Sequence, residues 1–447
     1  MSDETTLDGP RARAGGSTPR VALVLACVRG EPRGSLARAG EILGDRGVFG
    51  RGEGDGSEPR VLCGPPLESP HLSRRQLRVL RVSPAKLSVE NLGKAPLRVG
   101  GRQVVQAIVA AGDVVEVGDV AVLVAAAVGD VVEVGDGAGD GEDGLVGRSP
   151  AMLGLLDRLA FVARQKGHVL VLGPSGAGKE RVAQAVHRRS QRRGPMIARN
   201  AATIPASLLD VELFGHVKNF PNPGMTERGG LVGEAEGGTL FLDEIGEIDE
   251  SLQAHLLRLL DSGEYQRLGD PRPRRSDVRV VAATNRAETE LKPDLRARFR
   301  HVLRVPPLSE RRADIPLLLE YLAQRAFTES PELRARFAPR GGPEVDPGFI
   351  AALLTAPLPL QVRELDRLLW ESLAESLGDT LVAPPSLGAE APPTGGVREW
   401  DEVSLEELQD AMAQHGGSAE RVWRHLGLRN RYVLRRLLEK WGLRGAP

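Results

Sequence analysis

The feature that most constrains this chain is the heptapeptide Gly173-Pro-Ser-Gly-Ala-Gly-Lys179, set between the apolar strand His168–Leu172 and the amphipathic helix Glu180–Ser190. A glycine-rich loop there turns successive backbone N–H groups inward, and the helix N-terminus adds a favourable dipole. Together they form a cradle for phosphate. Such a loop belongs to a parallel sheet flanked by helices. The sequence from Leu145 onward keeps that rhythm, with further apolar strands Thr239–Leu242 and Val278–Ala282 between helical segments. Thr239-Leu-Phe-Leu-Asp243-Glu244 ends in two acids, suited to holding magnesium (Asp243) and polarising an attacking water (Glu244). Val278–Ala283 ends in Thr284-Asn285, a polar pair placed to sense a terminal phosphate.

The rest of the 447 residues divides around this unit. Residues 1–19 are polar and rich in Gly, Pro and Arg, and read as a flexible tail. Over 20–127, short β-branched runs (Val21–Val28, Leu77–Val82, Lys86–Glu90, Leu97–Val99, Val114–Val117, Val120–Val124) alternate with turn signals, which predicts an all-β sandwich. Residues 128–144 form an acidic linker; the segment Gly129–Gly144 carries six acids and no base. That linker repeats the octapeptide of 112–119 at 129–136, as linker or an extra edge strand. The α/β core is expected over 145–320, a helical lid over 321–378 and a proline-rich linker over 379–399. Residues 400–447 should close the chain with a small all-helical unit. Within it, Gly416–Pro447 has eight Arg or Lys against two Glu, and helix, helix, tight turn and basic helix is the grammar of a helix-turn-helix. Arg429, Asn430, Arg431, Tyr432, Arg435 and Arg436 are the candidate contacts to double-stranded DNA.

Composition excludes several classes. Hydrophobic residues at 41% and charged residues at 27% are globular values. The longest apolar runs, Val21–Val28 and Val120–Val128, fall short of the roughly 18 residues a membrane span needs. Two cysteines, Cys27 and Cys63, cannot build a disulfide framework, so a reducing, cytoplasmic setting is expected.

Gly173–Glu180, Glu212-Leu-Phe-Gly-His216, Gly237–Gly246, Val278–Asn285, Pro306-Pro-Leu-Ser-Glu-Arg311 and Val362-Arg-Glu-Leu365 are collinear over about 145–378. They resemble the central AAA+ ATPase domain of sigma-54-dependent transcriptional activators. The resemblance implies ATP and Mg2+ as ligands. Gly173, Pro174, Ser175, Gly176, Ala177, Gly178, Lys179 and Glu180 would form the phosphate loop; this family carries Glu after the loop lysine. It further implies that Asn200 restrains Glu244, that Asn285 and Arg363 sense nucleotide, and that Arg298 reaches the γ-phosphate of a neighbouring subunit. A homo-oligomer follows, a dimer assembling to a ring, with a hexamer expected. The basic C-terminal unit is similar to the Fis-type domain that ends such activators.

Gly50-Arg51, Ser69–Gln76, Val89–Lys94 and Gly112-Asp113 resemble a forkhead-associated domain, which binds phosphothreonine peptides; Arg51, Ser73, Arg74 and Lys94 match its binding positions. Three departures stand out. Gln76 replaces a structural histidine. In the resemblance to sigma-54 activators, their Gly-Ala-Phe-Thr-Gly-Ala loop, whose tip touches the sigma factor, is replaced by Asn219-Phe-Pro-Asn-Pro-Gly224, and Gly233 stands where that family usually has glutamate. The expectation is therefore ATP turnover coupled to RNA polymerase with weak or no contact to sigma-54. The alternative is a DNA-binding regulator in which nucleotide acts only as a switch.

Overall fold

In a computed structural model, the structure describes residues 20–52, 58–62, 65–128, 143–204, 206–220, 222–247, 250–387 and, near the C-terminus, 407, 408 and 412. Nine strands form the N-terminal module: β1 (Arg20–Val28), β2 (Arg46–Phe49), β3 (Leu77–Ser83), β4 (Lys86–Asn91), β5 (Leu97–Val99), β6 (Arg102–Val104), β7 (Gln106–Ala110), β8 (Val114–Val117) and β9 (Ala121–Val128). They make two antiparallel sheets, β1-β9-β8-β5-β6 and β2-β3-β4-β7, that share one apolar core built on Leu23, Leu25, Phe49, Leu77, Val89 and Leu123. The sandwich expectation holds. Strands β2, β6 and β7 were not among the sequence-expected ones, being short and without a clean apolar alternation.

Strand β1 is apolar along nearly its whole length because both its faces are buried. Leu23 and Leu25 face the sandwich core, whereas Ala22, Val24 and Ala26 are buried outside that cluster. The lid covers that second face: α9 (Pro347–Thr355) lies against β1, β8 and β9. Backbones meet closely here. A Cβ on Gly34 would come 2.7 Å from the Gly342 carbonyl, and one on Gly40 would touch Leu317 at 3.0 Å. Ser35, 2% exposed, accepts from the Val345 amide at 2.6 Å and lies 3.1 Å from the Val345 oxygen and 3.3 Å from that of Pro343. Cys27 is buried as a free thiol, with its pKa pushed up by that burial.

The second module runs α1 (Pro150–Arg164), β10 (Val169–Leu172), α2 (Lys179–Arg189), β11 (Met196–Asn200), α3 (Ala206–Phe214), α4 (Gly230–Glu234), β12 (Thr239–Asp243), α5 (Glu250–Ser262), the small hairpin β13 (Glu264–Tyr265) and β14 (Arg274–Arg275), β15 (Arg279–Thr284), α6 (Pro293–Arg298) and β16 (His301–Arg304). Its five long strands form a parallel sheet in the order β11-β12-β15-β10-β16. Alternate side chains supply two cores. Val169, Val171 and Phe241 pack with α1 and α2; Leu170, Leu172, Leu240 and Leu242 pack with α3 to α6.

Helices α7 (Ile315–Glu329), α8 (Pro331–Phe337), α9 and α10 (Gln361–Glu375) make the lid. The boundary expected between 320 and 321 falls inside α7, whose start follows a 3-10 turn at Arg312–Asp314. The tail at 1–19, the repeated octapeptide at 129–136 and nearly all of the C-terminal unit lie outside the described residues, Arg429, Asn430, Arg431, Tyr432, Arg435 and Arg436 among them. Among the described residues no helix is long and apolar enough to cross a membrane.

Candidate nucleotide site and its neighbours

Parallel sheets gather chemistry at the carboxyl ends of their strands, where loops cross from strand to helix. Here β10 opens directly into residues 173–178, and α2 begins at Lys179. Gly176 (φ 78°) and Gly178 (φ 104°) take backbone angles costly for any other residue. Gly176 also admits the lid. A Cβ there would collide with the Leu360 carbonyl and lie 3.2 Å from Cβ of Arg363, so α10 begins against the loop. Lys179 is 6% exposed, and its Nζ donates to the carbonyls of Gly173 (3.1 Å) and Pro174 (3.4 Å). Glu180 is exposed and accepts from Gln184 at 3.2 Å, away from the cradle.

Strand order sets β12 two places from β10, with β15 between them. Asp243 ends β12 and accepts from the Glu244 amide at 3.0 Å. Glu244 sits at φ +54°, a left-handed conformation rare for a side chain of this size. Strain of this kind persists where the surroundings over-determine it, commonly at working sites. Its Oε2 accepts from the Asn285 amide at 3.4 Å, so the end of β15 orients the carboxylate. Magnesium at nucleotide sites takes one or two carboxylates and completes its shell with phosphate and water. Asp243 fits that donor set, and among the described residues no group of three or more His, Cys, Asp or Glu is placed to hold a metal by itself.

Other expected residues are placed less directly. Asn200 ends β11 in register with Asp243, but its Oδ1 accepts from the Ala202 amide at 2.9 Å and caps its own 3-10 turn. In this chain Asn200 turns its side-chain amide onto its own turn, and the Glu244 carboxylate accepts from the Asn285 amide. Arg298 ends α6 on the surface and pairs with Asp261 of the same chain at 2.5 Å. Arg279 and Arg311 are buried cations that carried no expected role. Arg311, from the Pro306–Arg311 motif, lies beneath the phosphate loop with Nη2 3.2 Å from the Ala177 carbonyl.

The sandwich loops bring the second set together. The Arg51 amide donates to the Ser73 carbonyl at 3.0 Å, and the Lys94 amide donates to Ser73 Oγ at 3.1 Å. Arg74 lines a small cleft with Gly50, Gly52 and Arg75. Gln76 is fully buried. Its Nε2 donates to Asn91 Oδ1 (2.8 Å) and to the Ala95 carbonyl (2.9 Å), which ties the β4–β5 loop to β3.

The segment after His216 forms a closed tip. Asn219, at φ 64°, donates its amide to the Met225 carbonyl at 2.9 Å, and its Oδ1 accepts from the Gly224 amide at 3.0 Å. The Phe220 ring is turned back onto Gly269, where a Cβ would stand 2.7 Å from it. Pro221 lies outside the described residues. A Cβ on Gly233 would face Tyr265 Oη at 3.8 Å and Arg267 Nη2 at 4.0 Å; Arg267 pairs with Glu227 instead.

Residues 145–305 match the family described as "Sigma-54 interaction domain". The chain is 37% identical over 308 residues to the transcriptional regulatory protein ZraR of Escherichia coli, covering 66% of this chain and 68% of that protein. It is 36% identical over 318 residues to the Nif-specific regulatory protein of Azotobacter vinelandii, covering 66% of this chain and 58% of the relative. With the nitric oxide reductase transcription regulator NorR1 of Cupriavidus necator it shares 49% identity over 191 residues, 41% of this chain and 37% of the relative. The chain thus spans three fifths or less of the length of several curated relatives it matches. Among solved structures, NtrX from Brucella abortus in complex with ATP is 29% identical, with 67% of this chain and 69% of that chain covered at a TM-score of 0.49. On the strength of its match to ZraR along two thirds of that protein, this chain belongs to the family of sigma-54-dependent transcriptional activators.

Proposed function

We propose that this protein is an ATP-hydrolysing regulator of bacterial transcription that binds DNA through residues 400–447. The observation that carries the reading is the gathering of Lys179, Asp243 and a strained Glu244 at the carboxyl ends of β10 and β12, with the lid at Arg363 against the loop. Loop amides and Lys179 would hold the β- and γ-phosphates. Asp243 would hold Mg2+, which neutralises charge on the transferred phosphoryl group. Glu244, oriented by the Asn285 amide, would polarise the attacking water. Arg298 would leave Asp261 to reach the γ-phosphate of an adjoining subunit, so hydrolysis would depend on assembly.

Purified Glu244→Gln protein should bind ATP as the native chain does and lose turnover by about a hundredfold or more. Unchanged hydrolysis would refute the assignment. Specific activity of the native chain should rise with protein concentration; a monomer with concentration-independent turnover would remove Arg298 from the site. A truncation at Gly395 should lose DNA binding, and retained binding would move that activity elsewhere.

The sandwich would serve as a phosphothreonine sensor, with Arg51, Arg74 and Lys94 around the Ser73 hydroxyl. Charge-assisted bonds to phosphate are worth roughly 1.5–3 kcal/mol each, so Arg51→Ala should weaken phosphopeptide binding about tenfold. Equal affinity for the unphosphorylated peptide would make the module structural. The closed tip with Phe220 on Gly269 favours one second reading, that nucleotide turnover is not transmitted to sigma-54.

A further inference from the structure

We infer that Arg311 is a positioning residue for phosphate binding, acting through the peptide that joins Ala177 to Gly178. This rests on the reading that residues 173–179 hold nucleotide phosphates. Arg311 is 4% exposed. Among the described residues it has no carboxylate at ion-pair distance; its partners are the Ala177 carbonyl (3.2 Å) and Met152 Sδ (3.4 Å), and its Nε is buried without a partner. Burial works against its charge, which the Asp314 carboxylate supports through space without touching it, and hydrogen bonding to the guanidinium itself stays thin. Its location gives it a use.

A trans peptide is planar, with C=O and N–H on opposite sides. A donor holding the Ala177 oxygen from beneath therefore leaves the Gly178 N–H facing the other way, into the cradle. Glycine's soft backbone would otherwise let this peptide turn over, because Gly178 lacks the side chain that confines φ. Arg311 is itself well anchored. It stands between the 3-10 turns Leu308–Glu310 and Arg312–Asp314. Asp314 accepts from the amides of Arg148 (2.8 Å) and Ser149 (2.9 Å) and from Ser149 Oγ (2.5 Å), fastening this strap to the start of α1. The strap then continues into α7 of the lid, so the same segment that roots the lid also sets one amide of the phosphate cradle.

The test uses the full chain with Arg311→Met and Arg311→Lys, and compares dissociation constants for ADP and AMP. AMP lacks the phosphate that the end of the loop grips, so the ADP-to-AMP preference reads the cradle and not general damage. Arg311→Met should reduce that preference about tenfold, the value of one amide hydrogen bond to a charged group, with AMP affinity unchanged. Arg311→Lys, which restores a donor, should recover most of it. Should Arg311→Met not fold, Arg311→Leu, which also lacks a donor, is read in the same way. A preserved ADP preference, or parallel losses for ADP and AMP, overturns the role given to Arg311. A native chain that does not favour ADP over AMP, with Lys179→Ala unaltered from it, overturns instead the underlying reading of the loop.

Discussion

The phosphate loop and the tip at 219–224 belong to one module and are built on opposite principles. The loop is held by long-range structure: strand order places it beside Asp243 and Glu244, the lid closes on Gly176, and a cation from residue 311 reaches its outer side. Its residues follow the family pattern throughout. The tip is held by its own short-range bonds, Asn219 to Met225 and Gly224, and by one ring on Gly269. There the family sequence is replaced. A site assembled from distant strands cannot be altered piecemeal without cost to the fold, whereas a self-contained loop can be rewritten in six residues. Membership of the family thus bears more heavily on the nucleotide-site fold than on the tip.

The most demanding test of this contrast is a graft. Replacing 219–224 by Gly-Ala-Phe-Thr-Gly-Ala should raise sigma-54 capture in the presence of an ATP transition-state analogue by at least about tenfold, the effect of one well-placed contact, while ATP turnover stays as in the native chain. If the native chain already captures sigma-54, or the graft abolishes turnover, the two regions are not independent.

A smaller effect should appear on acidification, in the sheet and not in the tip. His168, just before β10, accepts from the Val280 amide at 3.0 Å and donates to the Leu260 carbonyl at 3.1 Å, bonds that require the neutral ring. Burial, aided by Arg279 and Arg192, lowers its pKa from 6.5 to about 4. The unfolded chain therefore binds the extra proton first. Stability present above about pH 6.5 should be lost as the pH falls towards 4, by up to about 3 kcal/mol, and His168→Gln should flatten that part of the profile. An unchanged profile in the variant would remove His168 as the cause. The tip's bonds, being backbone and amide, should not respond.

Much of this was legible in the sequence for stated physical reasons. Gly173–Lys179 between a strand and a helix can do little else, and Asp243-Glu244 at a strand end declares its place by its abrupt polarity. The sandwich showed through its longer strands; β2, β6 and β7 carry too few residues to set a period. Asn200 could be placed beside Asp243, but not the direction of its amide, which a local turn decides. Arg311 was visible as part of a motif yet mute as to role, because its acceptor is a main-chain oxygen 134 residues earlier and no side-chain pattern marks a carbonyl.

The buried seat of Ser35 on Val345 has a mechanical consequence. The sandwich is cargo on the lid: β1 and β9 rest on α9, and β9 also passes the Arg312–Asp314 turn. Any swing of the lid must either sweep the loops bearing Arg51 and Ser73 along the same arc or tear open a buried joint where glycine backbones meet. Reopening that joint would leave Ser35 and the Val345 amide to find new partners, so the first course is the softer one. The far loops then move as the pointer of a gauge whose pivot lies beside the phosphate loop.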